Sequence, residues 1–459
     1  MRSTALVHGI ALAGEALAAQ LVRRDWRVLV ADDAPTPEKR ALAASLGTEL
    51  VESPDAATID ALVAEADMVC PAPGVPETHA VVLAAQAAGV PLRTEIDLAY
   101  EWEQQRAAGP RPMLAVTGTD GKTTTTLLAA HMLEAAGVRA AAVGNTEVPL
   151  SAALDEPVDA FVVECSSFRL NWLRSFRAEA AVWLNFAPDH QNWHTSMASY
   201  EAAKARVWAN RRDTDVAIGF ADDAVVMRNL RAAGGITRTF AATGADYRVE
   251  HGSLVGPDGV IAPVSCMTRA LPHDLTNALA AAALVLESGL ATAADVQRAL
   301  GTFRHPPHRI EPVGEIRGVQ WFNDSKATSP HAALTAIRGF ERIVLLAGGL
   351  NKGLDLAELA VEHRRVKAVV GLGTAALEVT TPFAPHCPTR VATSMAQAVA
   401  FATELAEPGD VVLLSPACAS FDWYPGGGYP ARGDDFKQLV RALAEGSADA
   451  PVSAERSAR

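Results

Sequence analysis

The sequence predicts an α/β protein of three domains: an N-terminal Rossmann-like domain, a central domain of the P-loop type with a mostly parallel sheet, and a C-terminal Rossmann-like domain. Three observations predict it. The 459 residues correspond to roughly three domains at about 150 residues each. Short apolar strands alternate with Ala/Leu-rich helices, which is the pattern of parallel sheets. Two turn-rich breaks, AAGPRP at 107–112 and FRHPPHR at 303–309, interrupt that alternation. The boundaries that follow are 1–110, 111–304 and 305–445, with the small, polar residues 446–459 expected as a flexible tail.

The strands read in order as TALVH (4–8), VLVAD (28–32) and DMVCP (67–71) in the first domain. MLAVTG from 113, FVVEC (161–165) and AVWLNF (181–186) follow in the second, and RIVLLAGG (342–349), VKAVVGLG (366–373) and DVVLLSPA (410–417) in the third. His8 and Glu15 interrupt the apolar N-terminal run, so it reads as strand, turn and helix and not as a secretory signal.

Hydrophobic residues make up 49% and charged residues 20%, enough apolar surface to offset chain entropy and exclude disorder for the body of the chain. A formal charge of −13 argues against nucleic-acid or anionic-membrane partners, which require a surplus of Lys and Arg. No apolar run reaches the ~18–20 residues of a membrane span. The five cysteines (70, 165, 266, 387, 418) form no CxxC pair, consistent with reduced thiols and a cytoplasmic location. The 40 basic residues comprise 33 Arg and only 7 Lys, and four of those lysines (122, 204, 326, 352) fall in the motifs below.

The strongest motif is AVTGTDGKTTTT (115–126). An apolar strand runs into Gly118, Thr119, Asp120, Gly121, Lys122, Thr123 and Thr124, then into a helix. Glycines let backbone amides close around phosphate oxygens, the helix N-terminus adds positive potential, and Lys supplies a mobile cation. Thr123 or Thr124 can place a hydroxyl on Mg²⁺. The spacing is the short GxxGK[ST] form, since Val116 sits where the first Gly of GxxxxGK[ST] would stand. Glu164 ends a strand in VVECSSFRL, where a Mg²⁺ ligand belongs, and Ser166 follows it. NFAPDHQNWH brings Asn185, Asp189, His190 and His194, a group able to ligate metal or orient substrate. In the third domain Arg309, Asp324, Ser325 and Lys326 open the unit, and Lys352, Ser415 and Ser420 follow apolar strands. Ligands bind at that edge of open α/β sheets.

These motifs, with SYEAAKAR, LPHDLTNALAAAA, PPHRIE, NDSKATSP, AGGLNKG and LSPACASFD, resemble those of the Mur ligases. NDSKAT with LSPACASFD resembles the branch that adds D-glutamate to UDP-N-acetylmuramoyl-L-alanine. The resemblance runs in family order over about residues 115–436. It implies that the N-terminal domain takes the UDP end of the substrate, the central one ATP, and the C-terminal one the amino acid while closing on ATP. It implies an acyl phosphate attacked by the amine, with ATP as co-substrate and Mg²⁺ as cofactor. Position by position it implies that Lys122 and Thr123 hold the β- and γ-phosphates, that Glu164 and His190 ligate Mg²⁺ with Thr123, and that Lys204 is a carbamate holding a second Mg²⁺. Asn145 and Ser166 would line the nucleotide-sugar side. Asn277, Arg309 and Asp324 would contact ATP, and Lys326, Thr328, Lys352, Ser420 and Tyr424 the amino acid. A monomer is expected.

The sequence departs from the family pattern in places. Ala11 and Ala13 stand in the N-terminal glycine turn, Asp120 replaces Asn in the phosphate loop, and Asn192 and Asp274 exchange acid for amide and the reverse. Thr146-Glu147 replaces Ile-Gly, and WYPGGGYPARG (423–433) is about two residues longer than the family loop. That last change keeps L-glutamate or another amino acid open as the substrate. A P-loop kinase or ATPase without ligation, and a nucleotide-binding regulator with a degenerate site, are the alternatives of another class.

Overall fold

Every residue of TALVH is buried, as a parallel strand covered on both faces requires. This strand, β1 (Thr4–His8), pairs in parallel with β2 (Arg27–Asp32) and β4 (Met68–Pro71), and β3 (Leu50–Glu52) flanks β2. Leu17, Leu21 and Val28 pack one face of this sheet, and Ile59, Val63 and Val81 the other. The computed structural model describes residues 2–448. They divide into two compact units, one running to Ala270 together with Asp274–Phe303, the other comprising Leu271–His273 with Arg304 onward.

The first unit also holds a six-stranded, wholly parallel sheet: β5 (Met113–Thr117), β6 (Ala140–Gly144), β7 (Ala160–Glu164), β8 (Ala180–Trp183), β9 (Val216–Phe220) and β10 (Ile236–Phe240), in the order β10-β9-β8-β5-β7-β6. Helices Lys122–Ala135 and Pro272–Glu287 cover one face; Ala278 to Val285 of the latter are fully buried. Alanines there let the helix backbone lie close to its neighbours. A small antiparallel sheet, β11 (Arg248–Glu250), β12 (Ser253–Gly256) and β13 (Gly259–Pro263), follows the large one in sequence.

Helix Glu95–Gln104 serves both sheets of this unit. Leu98 joins the first core, and Ile96, Ala99 and Tyr100 join the second. Its carboxylates reach out as well: Asp97 accepts from the amides of Arg174, Ser175 and Phe176, and Glu95 pairs with buried Arg169.

The second unit carries β14 (Glu311–Ile316), β15 (Val319–Asn323), β16 (Ile343–Gly348), β17 (Val366–Leu372), β18 (Thr389–Val391) and β19 (Val411–Leu414), ordered β14-β15-β19-β16-β17-β18. Only β14 runs antiparallel, at the edge. The expected α/β class with mostly parallel sheets is therefore what the chain adopts. Two local expectations are corrected. The run 181–186 leaves the sheet after Trp183, so Asn185 turns into a loop. The segment 423–433 is not one loop: the final helix, Gly428–Ala448, begins inside it. Gly428 takes a positive φ and Pro430 sits in the first turn, where no amide donor is needed. This helix also covers 446–448 of the expected tail, and 449–459 lie outside the described residues. Among the described residues no helix is long and apolar enough to cross a membrane.

Candidate active site

In the central sheet the chain leaves β5 toward β6 and returns on the other side of β5 as β8. This reversal opens a crevice at the carboxyl end of β5, where open α/β sheets bind ligands. The phosphate-loop residues sit there. Gly121 has φ +81 and a Cβ on it would lie 2.7 Å from Asn277 Oδ1, so only glycine fits between loop and helix Pro272–Glu287. As N-cap it also supplies no side chain to the helix it starts. The first amides of Lys122–Ala135 are thus left for an anion.

Asn185 shapes the loop. Its Oδ1 accepts from the amides of Thr119 (3.0 Å) and Asp120 (2.9 Å), and its Nδ2 donates to Asp120 O. The amide of Ala187 donates to the Thr119 hydroxyl, which also meets the Tyr200 hydroxyl at 3.1 Å. Lys122 Nζ donates to the carbonyls of Gly118 (2.9 Å) and Thr119 (2.6 Å). Lys204 Nζ donates to the same Gly118 carbonyl. Lys204 is 1% exposed and lies over the Tyr200 ring. Burial, with the neighbouring Lys122 charge, holds its amine well below the ordinary lysine range.

Glu164 closes β7, in register with Val116 of β5. Asn145 Nδ2 donates to its Oε1, while its buried Oε2 has no partner. An orphaned carboxylate oxygen is costly to bury, and a divalent cation would satisfy it. His190 stands in the left-handed region at φ +56, with Asp189 Oδ2 at 3.3 Å from its Nε2. Burial lowers its pKa to about 4, with Lys122 and Lys204 pushing the same way against Asp189. The ring is neutral near pH 7, the form that ligates metal. Glu164, His190 and the half-buried Thr123 therefore suit Mg²⁺. Lys204 does not as a plain amine, since it donates a hydrogen bond here. Ser166, also in this region, caps the short helix Ser167–Leu170.

One loop was not foreseen. Glu77 accepts from His194 Nδ1 (3.0 Å), from the amide and hydroxyl of Thr195 (2.9 and 3.1 Å) and from the Ser199 hydroxyl. His194 Nε2 in turn meets Ser167 Oγ at 2.9 Å. Glu77 thereby ties the chain after β4 to the segment that carries His190 and Lys204. Elsewhere at that edge of the first sheet, His8, Asp33 and His79 bring three donor atoms within 4.8 Å of one another. The His79 Nδ1 accepts from the Val81 amide, which places its proton on Nε2, facing Asp33. The cluster is a carboxylate bridging two imidazoles, with no lone pair of His79 turned to a metal.

The second unit gathers the other foreseen residues at the ends of its strands. Asp324 accepts from Ser415 Oγ (2.7 Å) and from the amide of Ile310 (3.2 Å). It thus holds the turn that presents Arg309, where His308 and Ile310 both have positive φ. Lys326 Nζ lies over the Tyr429 ring, 5.1 Å from its centre, whereas the Tyr424 hydroxyl donates to Asp435. Thr328 is half-buried, Lys352 exposed, and Ser420 Oγ buried without a partner. Arg432, 2% exposed, donates to Ser325 Oγ and to the carbonyls of Ser325, Cys418 and Ala419, knitting the last helix to two of these loops. Glu77, Tyr429 and Arg432 are the residues that pattern reading missed; Asn185, expected to ligate metal or orient substrate, here holds the phosphate loop.

Residues 116–285 match the Mur ligase middle domain and residues 308–418 the Mur ligase glutamate ligase domain. The chain belongs to the Mur ligase family. It is 40% identical over 454 residues to the UDP-N-acetylmuramoylalanine–D-glutamate ligase of Frankia casuarinae, covering 95% of this chain and 93% of that one. The enzyme of the same name from Myxococcus xanthus is 38% identical, with 95% and 98% covered. Among solved structures, the Mur ligase MurF of Thermotoga maritima in complex with ADP shares the fold at a TM-score of 0.61 and 14% identity, covering 97% of this chain and 96% of that one. MurC of Thermotoga maritima does so at 0.58 and 17%, with 96% and 100% covered. The resemblance read from the motifs is borne out, and with it the fold.

Proposed function

We propose that this Mur ligase joins D-glutamate to UDP-N-acetylmuramoyl-L-alanine at the expense of ATP, in the making of peptidoglycan precursors. The observation that carries the reading is the 40% identity, across nearly the whole of both chains, to an enzyme of that name. A carboxylate is a poor electrophile. Its phosphorylation turns one oxygen into part of a leaving group; the amine then forms the C–N bond and phosphate departs. The protein's share is positioning and charge neutralisation.

In this reading Gly118 to Thr124 wrap the ATP phosphates, with Lys122 on the transferred group and Asn277, Arg309 and Asp324 on the rest of the nucleotide. Asn145 and Ser166 face the nucleotide-sugar, and Lys326, Thr328, Lys352, Ser420 and Tyr424 the amino acid. Thr123, Glu164, His190 and a carbamylated Lys204 hold Mg²⁺, which when bound neutralises charge on the phosphates. Carbamylation converts Lys204 from a donor into an anionic oxygen ligand, which reconciles it with that set. The work is divided among 1–110, 111–304 and 305–445, in a cytoplasmic monomer without nucleic-acid or membrane partners.

The test is phosphate release from Mg-ATP and UDP-N-acetylmuramoyl-L-alanine with D-glutamate, L-glutamate or no amino acid. Release that depends on D-glutamate is expected. Release with L-glutamate alone would overturn the choice of amino acid, and release that needs no amine would overturn ligation.

A further inference from the structure

Three loops meet at the carboxyl edge of the second unit's sheet, and a single carboxylate joins two of them. Asp422 Oδ2 accepts from the amide of Thr374 at 3.0 Å. Gly373, at φ +59, packs so closely that a Cβ on it would lie 2.0 Å from that oxygen. Thr374 Oγ1 donates to Gly349 O (3.0 Å), as does the amide of Ala375 (2.9 Å). Leu350 and Ala419 then close the circle, each amide donating to the other's carbonyl at 2.8 and 3.1 Å. The loop after β17 is thus the keystone between the loop after β16, which carries Lys352, and the loop after β19, which carries Ser420 and Tyr424.

We propose that Asp422 is a positioning residue for the incoming amino acid: by gripping the loop after β17 it fixes Ser420 and Tyr424 relative to Lys352. This rests on the reading of those three residues as the amino-acid site. Asp422 lies between Ser420 and Tyr424 in the chain, so a shift of its carboxylate moves both. Its carboxylate is held by a backbone amide and faces the field of the buried Arg432 guanidinium. The bonds of Asp422 and Thr374 go to the loops that carry Lys352, Ser420 and Tyr424, so the effect is expected on the amino acid.

The experiment compares KM and kcat for each substrate in wild type, Asp422→Ala, Asp422→Asn, Thr374→Val and Lys352→Ala. Loss of a charged hydrogen bond in Asp422→Ala is expected to raise KM for D-glutamate about tenfold, with kcat and KM for ATP within about twofold. Asp422→Asn keeps an oxygen that can accept the Thr374 amide and restores most of the affinity. Thr374→Val keeps shape and loses only the hydroxyl bond to Gly349; it raises the same KM about threefold and serves if Asp422→Ala does not fold. A D-glutamate KM unchanged in both Asp422→Ala and Thr374→Val, or kcat and all KM values moving together, overturns the proposal. If Lys352→Ala also leaves that KM unchanged, the amino-acid site itself is misplaced; if Lys352→Ala raises it while the others do not, only the role of Asp422 falls.

Discussion

Lys122 and Lys204 donate to one acceptor, the carbonyl oxygen of Gly118. Two ammonium groups on one buried carbonyl repel, and the repulsion is relieved when one gives up its proton. Lys204 is the more deeply buried of the two, and burial together with the Lys122 charge lowers its pKa well below the ordinary lysine value. A neutral, buried amine is a nucleophile toward CO₂, and the carbamate proposed for Lys204 would exchange repulsion of Lys122 for attraction.

Lys204→Ala is therefore expected to lose ligase turnover and to recover part of it when a short carboxylic acid is added. Phosphate release with and without added acetate checks this. Full activity without additive would remove the carbamate from the account.

Lys122→Ala should keep its far-UV circular dichroism and lose phosphoryl transfer by well over about tenfold, since the cation neutralises charge that develops in the transition state. A smaller loss would mean that the phosphate-loop assignment is wrong.

Asn185→Ala frees the amides of Thr119 and Asp120 from the acceptor that orients them. KM for ATP is expected to rise several-fold, with KM for D-glutamate unchanged. Isothermal titration with ADP measures the same effect without turnover.

Glu77 gives a prediction in pH. Burial alone would raise its pKa, but hydrogen bonds from Ser199, Thr195 and His194 outweigh it, so the folded value lies below the ordinary 4.5. The ionised form thus stabilises the fold at neutral pH, and that contribution is lost as pH falls below 4.5 through the folded value. Glu77→Gln should cost about 1–3 kcal/mol at pH 7, read as a lower Tm. The gap from wild type should close in acid, and a gap independent of pH would mean that the charge is irrelevant.

Much of the site was legible because it depends on local order. A parallel strand must end at the ligand edge, and GTDGKT names its own loop; Glu164 and His190 follow strands that neighbour β5. Glu77 was not legible: it sits in an ordinary turn, and its value comes from partners 117 to 122 residues away. Asp422 is likewise a common acid in a loop until Gly373 and Thr374 are folded against it. Tyr424 and Tyr429 show the finer limit. Both lie in one aromatic, glycine-rich stretch, and only the start of the helix at Gly428 decides that Tyr429 covers Lys326 while Tyr424 turns to Asp435.

By itself the sequence determined the α/β class, the phosphate loop, the family and most of the residues at the strand ends. These follow from apolar periodicity, glycine conformations and short-range motifs, all properties of residues near one another in the chain. The tertiary structure alone decided that Lys122 and Lys204 meet on one carbonyl, that Glu164 keeps an oxygen without a partner, and that helix Glu95–Gln104 serves two cores. Those facts depend on side chains brought together across long chain separations, where burial removes water and makes the choice of each remaining partner count.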